Sequence, residues 1–208
     1  MIKNILFDIG SVLLLFDREA TVREFSYYSE TIPQENFTAE HVFLPEFWLR
    51  METGEISPCE YYERFRKVSG CRISFRHFSL IWARYFKESW PMIALGRSLS
   101  RRFQVYFLSN TDPLHIPMLY SRFPDLLFFH GQALSYELGV LKPERSFFKR
   151  ALAKFALKPS ECLFIDDQPQ NVEAARKLGI RSIHHFNPTQ TRAEIIAGFE
   201  RDGISLEF

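Results

Sequence analysis

The sequence has little of what would tie a protein to sulfur-bound metal, to a membrane or to a polyanion. Its three cysteines, Cys59, Cys71 and Cys162, are widely spaced and form no CxxC pair, which argues against a zinc site or a disulfide framework. Reduced thiols in the cytoplasm are the expectation. No run reaches the roughly 18–20 apolar residues of a spanning helix. Asp8 interrupts the N-terminal apolar stretch, and no small-residue cleavage site follows it. A soluble protein without a membrane partner is therefore expected. Lys and Arg total 26 against 25 Asp and Glu, a formal net charge of +1, so no nucleic acid partner is expected either. The chain has no internal repeat and no low-complexity segment. What it does have is apolar mass: 46% hydrophobic residues, with 22 Phe among 208, suffice for one packed domain with or without a smaller insert.

Three short apolar runs end abruptly on polar residues. Ile5-Leu6-Phe7 stops at Asp8 and Gly10, Val105 to Leu108 stops at Ser109-Asn110-Thr111, and Leu163-Phe164-Ile165 stops at Asp166-Asp167. A buried strand carries such a run, and an acid at its end must sit where the strand emerges, because an unpaired buried carboxylate costs several kcal/mol. Helical patterns fill the intervals. Asp17 caps a helix through Val22, Phe25 and Tyr28; a second segment runs from Phe37 to Met51; Ser57-Pro58 opens a third that stops near Gly70; a fourth spans Phe75 to Phe86. Further helices are predicted from Pro91 to Arg101, Pro113 to Arg122, Pro143 through Phe155, Val172 to Gly179 and Thr189 to Phe199, with added strands at Leu126 to Phe129 and Arg181 to His184. Strands separated by helices predict an α/β fold with a doubly wound, parallel, Rossmann-like sheet. The all-helical stretch 17–88 is expected to be a cap inserted into a core made of residues 1–16 and 89–208.

In a parallel sheet the three strand ends bring Asp8, Ser109 with Asn110, and Asp166 with Asp167 to one edge. Crowded carboxylates raise one another's pKa unless a cation joins them. The donors are all oxygens, which favours Mg²⁺ over zinc or copper. A hydroxyl, an amide and Lys142 facing such a cation share a preference for phosphate, so the inferred substrate is a small phosphorylated metabolite.

Asp8 in FDIGSV, Ser109 in LSNT, Lys142 in LGVLKPE and Asp166-Asp167 in FIDDQPQN resemble the four ordered motifs of the haloacid dehalogenase superfamily. The insert between the first two resembles that family's small helical cap. The resemblance implies that Asp8 attacks phosphorus and forms an aspartyl-phosphate that water hydrolyses. It further implies that Asp8, the Gly10 carbonyl and Asp167 hold Mg²⁺ with Asp166 in support, that Ser109 and the Asn110 backbone bind phosphoryl oxygens, and that Lys142 neutralises developing charge. Asn171 stands where an acidic neighbour of the metal is frequent. The FDxG opening, with LSNT and His115, is also similar to a subgroup that includes bacterial α-D-glucose-1-phosphate phosphatases, although Ser11 replaces that subgroup's usual Asn. Monomer and homodimer both stay open.

Position 10 departs from the family's phosphatases, most of which carry there a second aspartate that protonates the leaving oxygen. Gly10 cannot, and general acid catalysis is typically worth ~10²–10⁴-fold. Three explanations stand side by side. The substrate has a weakly basic leaving group, as a sugar 1-phosphate does; or Asp17 or His115 supplies the proton; or the protein is a catalytically weakened phosphometabolite-binding protein. Haloacid dehalogenation is a fourth reading, which leaves the paired acids without a cation. Phe47, Trp48 and Gly54 of the insert are expected nearest the leaving group.

Overall fold

A computed structural model of the chain describes residues 1–205. Among the described residues seven strands are formed: β1 (Asn4–Phe7), β2 (Leu14–Phe16), β3 (Phe86–Glu88), β4 (Gln104–Ser109), β5 (Gly131–Leu134), β6 (Cys162–Asp166) and β7 (Arg181–His184). The helices are α1 (Arg18–Ser26), α2 (Ala39–Val42), α3 (Pro45–Glu52), α4 (Pro58–Ser69), α5 (Phe75–Trp82), α6 (Trp90–Leu99), α7 (His115–Arg122), α8 (Ser135–Leu138), α9 (Arg145–Lys154), α10 (Pro169–Arg176) and α11 (Pro188–Arg201). Five strands make one parallel sheet in the order β5-β4-β1-β6-β7. The chain leaves β1 toward β4 and β5 on one side, then returns to build β6 and β7 on the other. The strand order thus reverses at β1, and a doubly wound sheet opens a crevice at such a point.

The strands are central because they are apolar on both faces. Ile5 and Phe7 point into one buried cluster with Val105, Phe107, Leu163 and Ile165, under α6, α7 and α11. Leu6, Leu108 and Phe164 point the other way, against Phe147 and Phe148 of α9 and Ala175 of α10. Each fully buried Phe or Leu contributes roughly 1.5–3 kcal/mol. A third cluster, built by Phe25, Tyr61, Phe65, Phe78 and Trp82 among others, belongs to α1–α5. These helices form a cap with an apolar centre of its own. Its two connections to the sheet run side by side as the antiparallel pair β2 and β3.

Local chemistry explains the cap helices. Asp17 caps α1 by accepting from the Ala20 N–H at 2.9 Å. Ser57 and Glu60 form a reciprocal capping box before Pro58, and Gly70 closes α4. Several sequence expectations need correction, among them the helix from Pro113, which begins at His115. The segment from Phe37 to Met51 is two helices, because Pro45 has no N–H to continue α2 and instead opens α3. The helix from Phe75 ends at Trp82 rather than Phe86, since Phe86 pairs with Phe16 in the ribbon. The helix expected from Pro143 begins two residues later, at Arg145. Leu126 to Phe129 is not a strand: Pro124 opens a 3-10 turn through Leu126, and the stacked rings of Phe128 and Phe129 pack as side chains. The strand lies just beyond, where the Phe155 ring leaves room only for glycine at 131.

Candidate active site

The register of the sheet assembles the site. Phe7 lies opposite Phe107 on β4 and Ile165 on β6, so the next residue on β1, Asp8, emerges level with Asp166 and one position before Ser109. Carboxylate oxygens of Asp8, Asp166 and Asp167 lie within 4.8 Å of one another. Lys142 arrives from the loop after α8, and its ammonium is saturated: 2.8 Å to Asp8 Oδ1, 2.7 Å to Asp166 Oδ2 and 2.9 Å to the Leu108 carbonyl. Burial works against that charge, but the two carboxylates outweigh it and hold the Lys142 pKa above its ordinary value.

The two principal carboxylates differ in what remains free. Asp166 accepts from Lys142, from the Gln168 N–H at 2.8 Å and from Asn171 Nδ2 at 3.0 and 3.1 Å, and it is wholly buried. Asn171 therefore replaces an acidic neighbour with a donor that satisfies Asp166. Asp8 Oδ1 accepts from Lys142 and from the Ile9 N–H at 2.8 Å, whereas Oδ2 has no partner among the described residues. Burial, reinforced by the charges of Asp166 and Asp167 and opposed by Lys142, pushes the Asp8 carboxyl up to about 7. One ammonium, paired with Asp8 and Asp166, is thus the only cation set against a cluster of three carboxyl groups among the described residues. A hard dication would remove the imbalance, and the all-oxygen donor set fits one. The Gly10 carbonyl accepts no hydrogen bond among the described residues, so it is available to the same ion.

The Asn110 side-chain amide is turned to Lys142. It clamps the Lys142 main chain in both directions, Nδ2 to the carbonyl at 2.9 Å and Oδ1 from the N–H at 2.8 Å. The amide positions the lysine, and only the Asn110 main chain is left to face a ligand. Ser109 is buried, and its hydroxyl makes one long bond, 3.2 Å, to the Asn110 carbonyl.

Both candidates for the missing proton donor make hydrogen bonds elsewhere. Asp17 is engaged as the α1 cap. His115 is buried with both ring nitrogens occupied, Nδ1 at 3.0 Å from Asp112 Oδ2 and Nε2 at 3.3 Å from the Trp82 carbonyl. Asp112 also accepts from Trp82 Nε1 at 3.0 Å. Burial opposes both charges, yet their mutual attraction prevails, raising the His115 pKa and lowering that of Asp112. The pair joins the cap, through Trp82, to the core.

Sequence reasoning passed over Glu52, the last residue of α3. Its carboxyl feels the charges of Asp112, His115 and Lys142, and burial first, then Asp112, pushes it up to about 7. The region around Trp48 and Gly54 pointed to this stretch, but partners at positions 112, 115 and 142 are visible only in three dimensions.

The profile of the haloacid dehalogenase-like hydrolases matches residues 2–179. The chain is 27% identical over 202 residues to a D-ribitol-5-phosphate phosphatase of Bacteroides thetaiotaomicron, spanning 94% of this chain and 97% of that protein. It is 22% identical over 213 residues to a sesquiterpene phosphatase of Aspergillus oryzae, spanning 93% and 94% of the two. Among solved structures, a haloacid dehalogenase family enzyme of B. thetaiotaomicron, in complex with magnesium and inorganic phosphate, superposes with a TM-score of 0.77 at 29% identity, covering 88% of this chain and 93% of that one. A predicted HAD-like hydrolase of Porphyromonas gingivalis gives a TM-score of 0.77 at 28% identity, covering 93% and 98%. With its sheet, its cap and its cluster of strand-end carboxylates, this chain belongs to the haloacid dehalogenase-like hydrolases.

Proposed function

We propose that the protein is a Mg²⁺-dependent phosphatase of a small polyol or sugar phosphate, working through an aspartyl-phosphate on Asp8. The observation that carries this reading is the asymmetry of Asp8: one oxygen is pinned by Lys142 and the Ile9 N–H, and the other has no partner among the described residues. That free Oδ2 attacks phosphorus. Lys142 holds Asp8 in place and offsets charge on the phosphoryl group, while the Ser109 hydroxyl and the Asn110 N–H hold phosphoryl oxygens. Asp8, the Gly10 carbonyl and Asp167 would hold the metal, with Asp166 keeping Lys142 and Asn171 in register. When bound, Mg²⁺ supplies Lewis-acid stabilisation of phosphoryl charge and keeps Asp8 ionised.

The likeness to a ribitol-5-phosphate phosphatase supports a polyol phosphate. If no other residue supplied the proton, Gly10 would favour a sugar 1-phosphate, whose leaving group needs less help from an acid. The test is hydrolysis of ribitol 5-phosphate, glucose 1-phosphate, glucose 6-phosphate and p-nitrophenyl phosphate with Mg²⁺, with EDTA, and with Asp8→Asn. Turnover abolished by chelation and lowered by about 10⁴-fold or more in Asp8→Asn is expected. Retained Mg²⁺ and phosphate binding with no turnover of any of the four would replace the phosphatase with a phosphometabolite-binding protein.

A further inference from the structure

Position 10 has no side chain, yet it has room for one. A Cβ built on Gly10 meets no atom within 4 Å, and its φ is not in the left-handed region, so glycine is not there to avoid a clash or to make a turn. Beside the nucleophile there is therefore open space where an acid could stand. Glu52 ends α3 where the cap meets the core, near enough to Lys142, Asp112 and His115 to feel their charges. Immediately after it the chain is pressed onto the core: a Cβ on Gly54 would lie 2.5 Å from the Tyr136 carbonyl, and the Thr53 carbonyl faces Gly139. Tyr136 belongs to α8, whose first residue, Ser135, bonds both the N–H and the carbonyl of Thr111, next to Asn110. The end of α3 is thus braced against the elements that carry Asn110 and Lys142.

The Glu52 side chain lies at this junction of cap and core. Trp48, one turn earlier on α3, packs edge-on to Trp82, which bonds Asp112. The Trp48 indole N–H faces the Glu52 carboxyl, is buried, and closes no hydrogen bond of ordinary length. No lysine or arginine forms an ion pair with Glu52 among the described residues, and its side chain is only half-buried, so protons can reach it. The charged and titratable groups around it are Lys142, Asp112, His115 and the Tyr61 hydroxyl.

Resting on the phosphatase reading above, we propose that Glu52 is the acid–base residue of this enzyme, delivered by the cap instead of by position 10. In the first step the ester P–O bond breaks as the Asp8 O–P bond forms, and protonated Glu52 gives its proton to the departing alkoxide oxygen. In the second, ionised Glu52 takes a proton from water, whose oxygen bonds to phosphorus as the Asp8 O–P bond breaks; inorganic phosphate leaves and Glu52 is protonated again. A carboxyl poised near neutrality serves both steps, because it is a useful acid and a useful base at the same pH.

The experiment compares wild type, Glu52→Gln, Gly10→Asp and the double variant, all with Mg²⁺, each checked for folding by thermal unfolding. On ribitol 5-phosphate, Glu52→Gln is expected to lower kcat about 10²–10⁴-fold and to remove the alkaline limb of the kcat/KM profile, which in wild type falls as the acid form is lost. On p-nitrophenyl phosphate, whose leaving group needs no proton, it is expected to release about one equivalent of nitrophenolate in a burst and then turn over slowly, because only the base step is lost. Adding Gly10→Asp to Glu52→Gln is expected to restore much of the turnover. Equal slowing on both substrates without a burst, with the alkaline limb intact, would make Glu52 a structural residue and overturn the proposal. So would unchanged turnover on ribitol 5-phosphate. A wild type that hydrolyses neither substrate and forms no phosphoenzyme would instead overturn the phosphatase reading itself.

Discussion

At the scale of single residues, the site is a balance of charges in which Lys142 is the pivot. It is buried, and it joins Asp8 to Asp166. Replacing it with methionine keeps the apolar stem but leaves two buried carboxylates without their cation. Breaking a buried pair from one side typically costs about 3–5 kcal/mol. Lys142→Met is therefore expected to lower the urea midpoint, to abolish turnover, and to regain part of the lost stability when Mg²⁺ is added, since the metal then offsets charge that lysine did. Unfolding curves with and without Mg²⁺ check this. The members of this balance were legible in the sequence because each acid or amide ends an apolar run, and buried strands end that way only when they reach a surface. Their division of labour was not. That Asn110 serves the Lys142 main chain, or that Asn171 serves Asp166, depends on side-chain directions that no spacing encodes.

At the scale of elements, the contact between the end of α3 and α8 sets where the cap rests. Gly54 has φ +73°, and a Cβ there would come within 2.5 Å of the Tyr136 carbonyl, a backbone atom that cannot swing aside. Gly54→Ala is expected to lift the end of α3 from the core. The cap's apolar centre reaches Met51 and Ile56 on either side of Gly54 but rests mainly on α1, α4 and α5, so kcat and KM should suffer more than the unfolding midpoint. The global cost should stay within about 1–3 kcal/mol, which parallel kinetics and thermal unfolding would separate. The same scale shows why some elements escaped the sequence. β5 contains glycine and glutamine and lacks an apolar run, whereas Leu126 to Phe129 has the run but follows a proline that starts a turn. β2 and β3 are three residues each, too short for a period to show. The long helices, with their caps and glycine stops, were plain because backbone chemistry alone fixes them.

For the molecule as a whole, two bodies with separate apolar centres meet at a polar junction. There the Asp112–His115 pair contributes stability in a defined pH window. His115 has a raised pKa, so its contribution is complete below its ordinary value of 6.5 and is lost as pH rises through the raised one. Asp112 has a lowered pKa, so its share is present above 3.8 and is lost as pH falls through the lowered one. The difference in urea midpoint between wild type and an Asp112→Asn, His115→Gln double variant should therefore be greatest between these limits and shrink on the alkaline side. A difference that stays constant to high pH would mean the pair is not ionised. Trp82 is the cap's hand on this junction: its indole stacks on the His115 ring at 5.9 Å and 13° while its N–H holds Asp112. A protonated imidazole against an excited indole accepts an electron and darkens it. In a chain keeping Trp82 but with phenylalanine at Trp48 and Trp90, emission becomes a gauge of separation, dim while the cap is seated and bright as it lifts, so the rhythm of opening can be timed by light without any attached dye.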